Sequence, residues 1–92
     1  MKIKDFLTKE NWTQGANARD KNGNTVYVFS EHACQFCLLG AIMKLYPPSE
    51  RDEVDYVLRC AINLKSDYTS ISHFNDNSDF NEVKCILDTL DI

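Results

Sequence analysis

The residues best suited to chemistry are four cysteines and two histidines. Three of them fall within six residues, as His32, Cys34 and Cys37, and either Cys60 or Cys85 could complete a tetrahedral zinc site. Paired zinc ligands usually project from a turn, whereas this pair begins a strongly apolar stretch that predicts a helix. Because a free cysteine packs like a small hydrophobic residue, we expect the cysteines to lie mostly in the core. A zinc-stabilised domain that uses Cys34 and Cys37 stays as an alternative.

Nucleophilic catalysis is a second chemistry that the same residues suggest. Cys37 would be the nucleophile, His73 the base, and Asn75 or Asp76 the residue that orients the base. The apolar neighbours of Cys37 favour a raised thiol pKa, and a chain of 92 residues leaves little room for a substrate cleft. We therefore predict no catalytic residue and no enzyme, with a cysteine-dependent hydrolase as a further alternative.

Calcium binding is suggested by the spacing of Asp20, Asn22, Asn24 and Glu31, which matches positions one, three, five and twelve of an EF-hand loop. Thr25 occupies the sixth position, where that loop requires a glycine for its sharp turn. A hairpin turn rich in Asn and Asp accounts for the same residues, and no phosphate-binding glycine pattern is present. The sequence therefore predicts neither a metal nor another cofactor.

Length and charge exclude several classes of protein. Ninety-two residues predict a single domain over 1–92. Ten basic and fourteen acidic residues give a net charge of −4, which excludes a typical nucleic-acid binder. No apolar run reaches the roughly 18 residues of a membrane span, and charged residues interrupt the apolar ones at the N-terminus, so we expect no secretory signal there. We therefore expect a cytoplasmic protein that binds neither nucleic acid nor membrane.

The charge is unevenly distributed along the chain. Residues 1–46 carry a net charge of +2 and residues 47–92 a net charge of −6. Since an acidic surface steers basic partners by its field, the second half predicts a protein partner with a basic surface. Tyrosine and tryptophan are frequent in such interfaces. The predicted binding residues are Trp12, Tyr56, Asp52, Asp55 and Asp76.

The elements that position these residues begin with a short apolar stripe, which predicts an N-terminal helix ending near Trp12. Next, the Asn22–Gly23 pair predicts a tight turn between strands over residues 15–20 and 25–29. An isolated two-stranded hairpin is marginally stable in water, so a helix must cover one of its faces.

The covering element is predicted to be a central helix over residues 33–46, because these residues are apolar on nearly every side. Ser30 is its predicted N-cap and Pro47 its stop. Gly40 lies within this helix, where it costs stability unless another backbone packs closely, so we expect such a contact there.

The second half predicts two further helices. One begins at Ser49, and the other begins near Ser78 or Asp79, where Asp79 and Glu82 have the spacing of a capping box. The polar residues 66–78 are predicted to be a loop. The predicted apolar stripe of the helix from Ser49 consists of Val54, Val57, Leu58, Ala61 and Leu64.

These elements together predict the fold class. It is α+β and helix-rich, with three to four helices packed on a short β-hairpin.

Three motifs follow one another along the chain. They are Trp12-Thr13-Gln14-Gly15-Ala16 with Ala18-Arg19-Asp20 and Gly23, then Phe36-Cys37-Leu38-Leu39-Gly40-Ala41, then Phe74-Asn75-Asp76 with Glu82-Val83. Together they resemble a family of small bacterial and phage proteins of unknown function. The resemblance implies one helical α+β domain and a phage or prophage setting, in which small acidic proteins often bind a host component, and it supplies no activity. We expect Asn75 and Asp76 to form a turn at the start of the last helix, with Trp12 and Phe74 packed beside Gly40.

These observations predict a non-enzymatic protein-binding module. Its acidic second half would bind a basic surface, and the phage setting favours a modulator or inhibitor of a host protein. Nothing in the sequence sets the oligomeric state.

Overall fold

Five helices and one two-stranded antiparallel ribbon form the chain, and the computed structural model describes all 92 residues. The predicted helix-rich α+β class is confirmed, with one helix more than expected. No helix is long and apolar enough to cross a membrane. The elements are α1 (Ile3–Phe6), β1 (Ala18–Arg19), β2 (Gln35–Phe36), α2 (Leu38–Leu45), α3 (Pro48–Lys65), α4 (Ile71–Asn77) and α5 (Phe80–Leu90).

The N-terminal helix is shorter than predicted, because α1 ends at Phe6 rather than near Trp12. Thr8 and Asn11 form a local turn that replaces the helix. The Thr8 amide donates to Asn11 Oδ1 at 2.6 Å, and Asn11 Nδ2 donates to the Phe6 carbonyl at 2.9 Å. Such side-chain bonds to the backbone compete with helical ones.

The Asn22–Gly23 turn forms as predicted, with Gly23 at φ +83°. The strand predicted over 25–29 is wrong, however, since within it only Val26 bonds back to β1, where its amide donates to the Ala18 carbonyl at 3.1 Å. After Val26 the chain forms a turn, in which the Ser30 amide donates to the Tyr27 carbonyl at 2.9 Å. The strand that pairs with β1 is instead β2, in the register Ala18 to Phe36 and Arg19 to Gln35.

This pairing also explains why α2 starts later than the predicted residue 33. Phe36 is held in an extended segment, because its amide donates to Asn11 O at 2.7 Å and its carbonyl accepts from the Thr13 amide at 3.0 Å. The N-cap is therefore Cys37 and not Ser30. At the other end α2 stops at Leu45 as Pro47 requires.

The two following helices depart from the sequence expectation in different ways. In α3 the buried residues are Leu58 and Ile62, whereas Leu64, predicted to face the core, is 90% exposed. Residues 66–78 were expected as a loop, but Ser70 caps the seven-residue helix α4 by accepting from the His73 amide at 3.0 Å. Buried Ile71 and Phe74, one turn apart, give α4 its inner side.

Helix α5 begins as predicted. Asp79 Oδ1 accepts from the Glu82 amide at 2.9 Å, and Glu82 Oε1 accepts from the Asp79 amide at 3.3 Å, which completes the capping box. The helix ends at Asp91, which adopts the left-handed conformation with φ 57°. Lys2 and Lys4 contact its carboxylate and thereby join the two chain ends.

One hydrophobic core lies between the helices and the ribbon. The expectation that most cysteines belong to it is wrong, since only Cys37 is buried and Cys34, Cys60 and Cys85 are exposed. The core residues are Ile3, Leu7, Ala18, Val28, Phe36, Leu38, Ala41, Ile42, Leu58, Ile62, Ile71, Phe74, Val83, Ile86 and Leu87.

Candidate functional site

The three sequence motifs meet around one fully buried side chain, Asn75 of α4. Its Oδ1 accepts from Trp12 Nε1 at 2.7 Å and from the Leu38 amide at 3.0 Å. Its Nδ2 donates to the Thr13 carbonyl at 3.0 Å and to Asp76 Oδ1 at 3.1 Å. Asn75 therefore uses both its acceptor and its donor to tie the loop of the first motif to α2.

Two further residues of the same loop, Gln14 and Gly15, bond to α4 and to the residue that follows it. Gln14 Nε2 donates to the carbonyls of Asn75 and Ser78 at 3.0 and 2.8 Å, and the Gly15 amide donates to Asp76 Oδ1 at 2.9 Å. The expected turn at Asn75 and Asp76 is therefore wrong, because both residues lie inside α4 and bond to a loop about 60 residues away in sequence. We call Trp12, Gln14, Gly15, Asn75 and Asp76 the motif junction.

The close backbone contact expected at Gly40 is present. A Cβ atom on Gly40 would lie 2.0 Å from the carbonyl oxygen of Asn17, just before β1. Trp12 and Phe74, which we expected beside Gly40, each make an aromatic contact outside α2. The Trp12 ring packs against Phe80 with centroids 5.7 Å apart, and the Phe74 ring lies edge-on to Tyr68 at 6.3 Å.

Cys37 lies beside the junction, at the N-terminus of α2. Its sulfur accepts from the Gly40 amide at 3.3 Å, and its thiol donates to Asn17 Oδ1 at 3.6 Å. Burial raises the pKa of this thiol, which disfavours the thiolate needed for attack.

The other members of the suggested catalytic set do not bond to this thiol. The His73 ring packs edge-on against Tyr68, with centroids 4.8 Å apart, and Asn75 is already bonded to four groups. The geometry thus gives no support to a Cys37–His73 pair. A cleft of about 180 Å³ borders Cys37 and is lined by Gly15, Ala16, Asn17, Cys37, Ser72 and Asp76.

Five of the residues suggested for calcium or zinc line one polar cavity of about 560 Å³, whereas Asn24, Cys37, Cys60 and Cys85 are not part of its lining. No group of three or more His, Cys, Asp or Glu side chains is placed to hold a metal ion. The Asp20 carboxylate instead accepts from the amides of Asn24 and Asn22, each at 2.9 Å, and these bonds lower its pKa. The cavity is lined by Asp20, Lys21, Asn22, Glu31, His32 and Cys34.

The five predicted binding residues fall into two groups. Trp12 and Asp76 belong to the motif junction and are already engaged in holding the fold. Asp52, Asp55 and Tyr56 lie together on α3, where Asp52 and Tyr56 are one turn apart and therefore adjacent on one side of the helix. We call these three residues the acidic face.

The three side chains of the acidic face differ in whether they have a partner within the chain. Asp55 is ion-paired with Arg59 at 2.8 Å. Asp52 is exposed and Tyr56 is 57% exposed, and neither side chain makes a hydrogen bond or an ion pair within the chain. Next to Tyr56 is a small cleft of about 150 Å³, lined by Tyr56, Arg59, Cys60, Asn63 and Thr69.

Two exposed apolar clusters were missed at the level of sequence. Leu64 and Val57 on α3 were assigned to the core because helical spacing alone does not show which side of the stripe is covered. In the loop after β1, the Tyr27 and Phe29 rings pack at a tilt of 54° with centroids 5.9 Å apart, and Lys44 Nζ lies over the Phe29 ring, 5.6 Å from its centroid. In the sequence, Tyr27 and Phe29 alternate with Val28, which is buried. This alternation could have indicated the exposed aromatic pair, but we interpreted it as a strand over residues 25–29.

Fold and contacts together define a small helix-rich α+β domain in which the polar residues of the motif junction hold an N-terminal loop against α2 and α4. The chain belongs to a family of unknown function, DUF6197, whose model matches residues 1–90. Comparison with curated proteins and with solved structures finds no match.

Proposed function

We propose that this chain is a non-enzymatic protein-binding module whose acidic face binds a basic surface of a partner protein. The observation that carries the proposal is the pair Asp52 and Tyr56, which lie one turn apart, exposed, with no partner inside the chain. An aromatic ring beside a free carboxylate suits a lysine or arginine, because the ring contributes a cation–π contact and the carboxylate an ion pair.

The surrounding charge supports the same partner. Glu50 and Glu53, also exposed and without an ion pair, extend the negative charge along the first turns of α3. Such a field accelerates encounter with a basic surface and depends on salt, since charges farther apart than about 8 Å are screened at physiological ionic strength.

The wider setting is part of the proposal. We infer a phage- or prophage-encoded protein of the cytoplasm that modulates or inhibits a host protein. The support is the resemblance of the three motifs to those of small bacterial and phage proteins, together with the net charge of −6 in residues 47–92.

The test starts with a pull-down from host lysate, followed by measurement of the Kd for the recovered protein. We expect Asp52→Asn combined with Tyr56→Ala to raise the Kd at least about tenfold, because hot-spot aromatic and charged residues dominate such interfaces. We also expect the wild-type Kd to rise with salt. The matched control is Tyr27→Ala, which removes a tyrosine that is 70% exposed in another part of the chain.

Two results would refute the proposal. One is an affinity that does not change with salt, which removes the electrostatic basis. The other is an equal Kd for the wild type and the double variant while circular dichroism shows both to be folded. Because both substituted side chains point into solvent, we expect the unfolding free energy to change by less than about 0.5 kcal/mol.

A further inference from the structure

The exposed turn after β1 contains Asn22, the only one of the eight asparagines that is followed by a glycine. All residues from 21 to 25 are exposed, and the Asn22 side chain makes no hydrogen bond within the chain. Nothing lies within 4 Å of a Cβ atom placed on Gly23. Water and base therefore reach this pair of residues freely.

The pair can react without an enzyme, because glycine has no side chain to hinder the approach of its backbone nitrogen. The Gly23 nitrogen gives its proton to a base and attacks Asn22 Cγ. The N–Cγ bond forms, the Cγ–Nδ2 bond breaks, and Nδ2 takes up a proton from water and leaves as ammonia. Water then opens the five-membered imide at either carbonyl and leaves aspartate or isoaspartate at residue 22. In sum, one amide and one water become one carboxylic acid and one ammonia, and no electrons are exchanged with another molecule.

The folded turn opposes this reaction. The Gly23 amide donates to the Asp20 carbonyl at 3.0 Å, and this bond must break before the nitrogen loses its proton and attacks. The Asp20 carboxylate holds the turn closed on both sides of Gly23, because its Oδ1 accepts from the amides of Asn22 and Asn24, each at 2.9 Å. Since the turn lies outside the core, we expect it to open locally at a much smaller cost than global unfolding.

Deamidation would also disturb a contact between the turn and Arg19 of β1. The Arg19 guanidinium donates to the Gly23 carbonyl at 3.0 Å, to the Gln14 carbonyl at 3.0 Å and to Thr13 Oγ1 at 3.2 Å. Isoaspartate lengthens the backbone by one carbon atom directly before Gly23, so the Gly23 carbonyl is displaced from Arg19. The reaction thereby weakens one of the bonds that attach the turn to the loop of the first motif.

We propose that Asn22 is a site of spontaneous deamidation, and that the hydrogen bonds of Asp20 control its rate by holding the turn closed. Water is the only co-reactant. No residue of the acidic face takes part, so the proposal goes beyond the proposed function and does not rest on it.

Tandem mass spectrometry of the folded full-length chain tests the site. During incubation at mildly alkaline pH, we expect a carboxyl group to replace the side-chain amide of Asn22 before any other asparagine reacts. The matched control inside the chain is Asn24, which is exposed in the same turn but is followed by Thr25. Asn22→Gln is the control variant, because glutamine would have to close a six-membered ring, and it should lose the product at residue 22. An Asn22 that stays intact in the folded chain, or that reacts later than Asn24, overturns the proposal.

Substitution of Asp20 tests the control by the turn. Asp20→Ala removes the acceptor of two hydrogen bonds and should speed up deamidation of Asn22 at least about fivefold, because the turn is open more often. Asp20→Asn should react at a rate closer to that of the wild type, because its amide oxygen accepts the same bonds. Circular dichroism checks that both variants are folded.

The unfolded chain separates the effect of the turn from a direct chemical effect of the Asp20 carboxylate. In concentrated urea all three proteins should deamidate at the same rate, and faster than the folded wild type. Equal rates for the folded wild type and folded Asp20→Ala overturn the control by the turn, and so does a difference that persists in urea. The deamidated chain, separated by its additional negative charge, should have a lower Tm than the intact chain, and an equal Tm overturns the weakened contact with Arg19. None of these results bears on partner binding by the acidic face.

Discussion

The motif junction and the outer surface of α3 use polar and aromatic residues in opposite ways. At the junction, the indole N–H of Trp12 and both ends of the Asn75 amide are bonded inside the protein. On α3, Tyr56 and Asp52 are open to solvent and have no partner in the chain. The polar and aromatic residues of the motif junction thus maintain the fold, whereas Asp52 and Tyr56 on α3 have no partner within the chain.

The reason lies in the irregular path of the N-terminal segment. Between α1 and β1 the chain has no helix or strand to satisfy its backbone, and buried backbone groups must find partners elsewhere. Asn75 accepts from the first amide of α2 and donates to the Thr13 carbonyl, so one side chain serves a helix end and a loop together. The motif junction thus supplies this segment with hydrogen bonds that a helix or strand would otherwise provide.

Removing Asn75 should therefore have the largest effect on stability. Asn75→Ala leaves the Trp12 indole, the Leu38 amide and the Thr13 carbonyl without partners, at about 1–3 kcal/mol for each buried group. We expect a loss of about 4 kcal/mol in the free energy of unfolding, measured by urea denaturation. This is a large part of the total stability of a small domain.

The control for this change lies two residues along in the same helix. Asn77 is exposed and donates only to the His73 carbonyl, so Asn77→Ala should cost less than about 0.5 kcal/mol. If the two alanine variants were equally stable, the motif junction would not hold the loop, and its contrast with α3 would be lost.

The next largest effect is expected at Gly40, on the other side of the same loop. In Gly40→Ala the new methyl group would lie 2.0 Å from the Asn17 carbonyl oxygen, which belongs to the backbone and cannot move aside without shifting β1. We expect a cost of about 3 kcal/mol, seen as a lower Tm in thermal unfolding.

Gly23→Ala is the matched substitution. Nothing lies within 4 Å of a Cβ atom at Gly23, so the only penalty is its φ of +83°, worth about 1 kcal/mol. A smaller loss at Gly40 than at Gly23 would show that the loop yields easily and is not held rigidly against α2.

These contrasts also show which parts of the molecule local sequence can predict. The capping box at Asp79 and the stop at Pro47 act within one turn of the chain, and both were predicted correctly. The start of α2 was not, because it depends on the pairing of β2 with β1, 16 residues earlier. Helix α4 was missed because seven residues contain only two buried apolar side chains, Ile71 and Phe74.

The candidate site divides in the same way. Asp52, Asp55 and Tyr56 were predicted as binding residues, and α3 places them within about one turn of each other, because Asp55 and Tyr56 follow Asp52 by three and four positions. The roles of Trp12 and Asn75 were not foreseen, since their hydrogen bond joins residues 63 positions apart. Helical periodicity also assigned Leu64 to the core, because it cannot tell a covered side of a helix from an open one.

The smallest effect is expected at the chain ends, which are held by exposed charges rather than by buried amides. Asp91 lies 2.5 Å from Lys4 Nζ and 2.9 Å from Lys2 Nζ, and these contacts lower the pKa of its carboxyl to about 2. Because the pKa is lower in the folded state, the stabilisation is present above about pH 4 and is lost as the pH falls from 4 towards 2.

Asp91→Asn isolates this effect, since asparagine also tolerates the left-handed conformation of residue 91. The wild type should have a slightly higher Tm than the variant at pH 5, and the two values should converge near pH 2. A Tm difference that is constant with pH would show that the charge of Asp91 contributes nothing. The bond between Trp12 and Asn75 contains no ionisable group, so the fluorescence of the single tryptophan should be the same in both proteins across this range while they stay folded. That result would separate the neutral bond between Trp12 and Asn75 from a charged, exposed contact within one small domain.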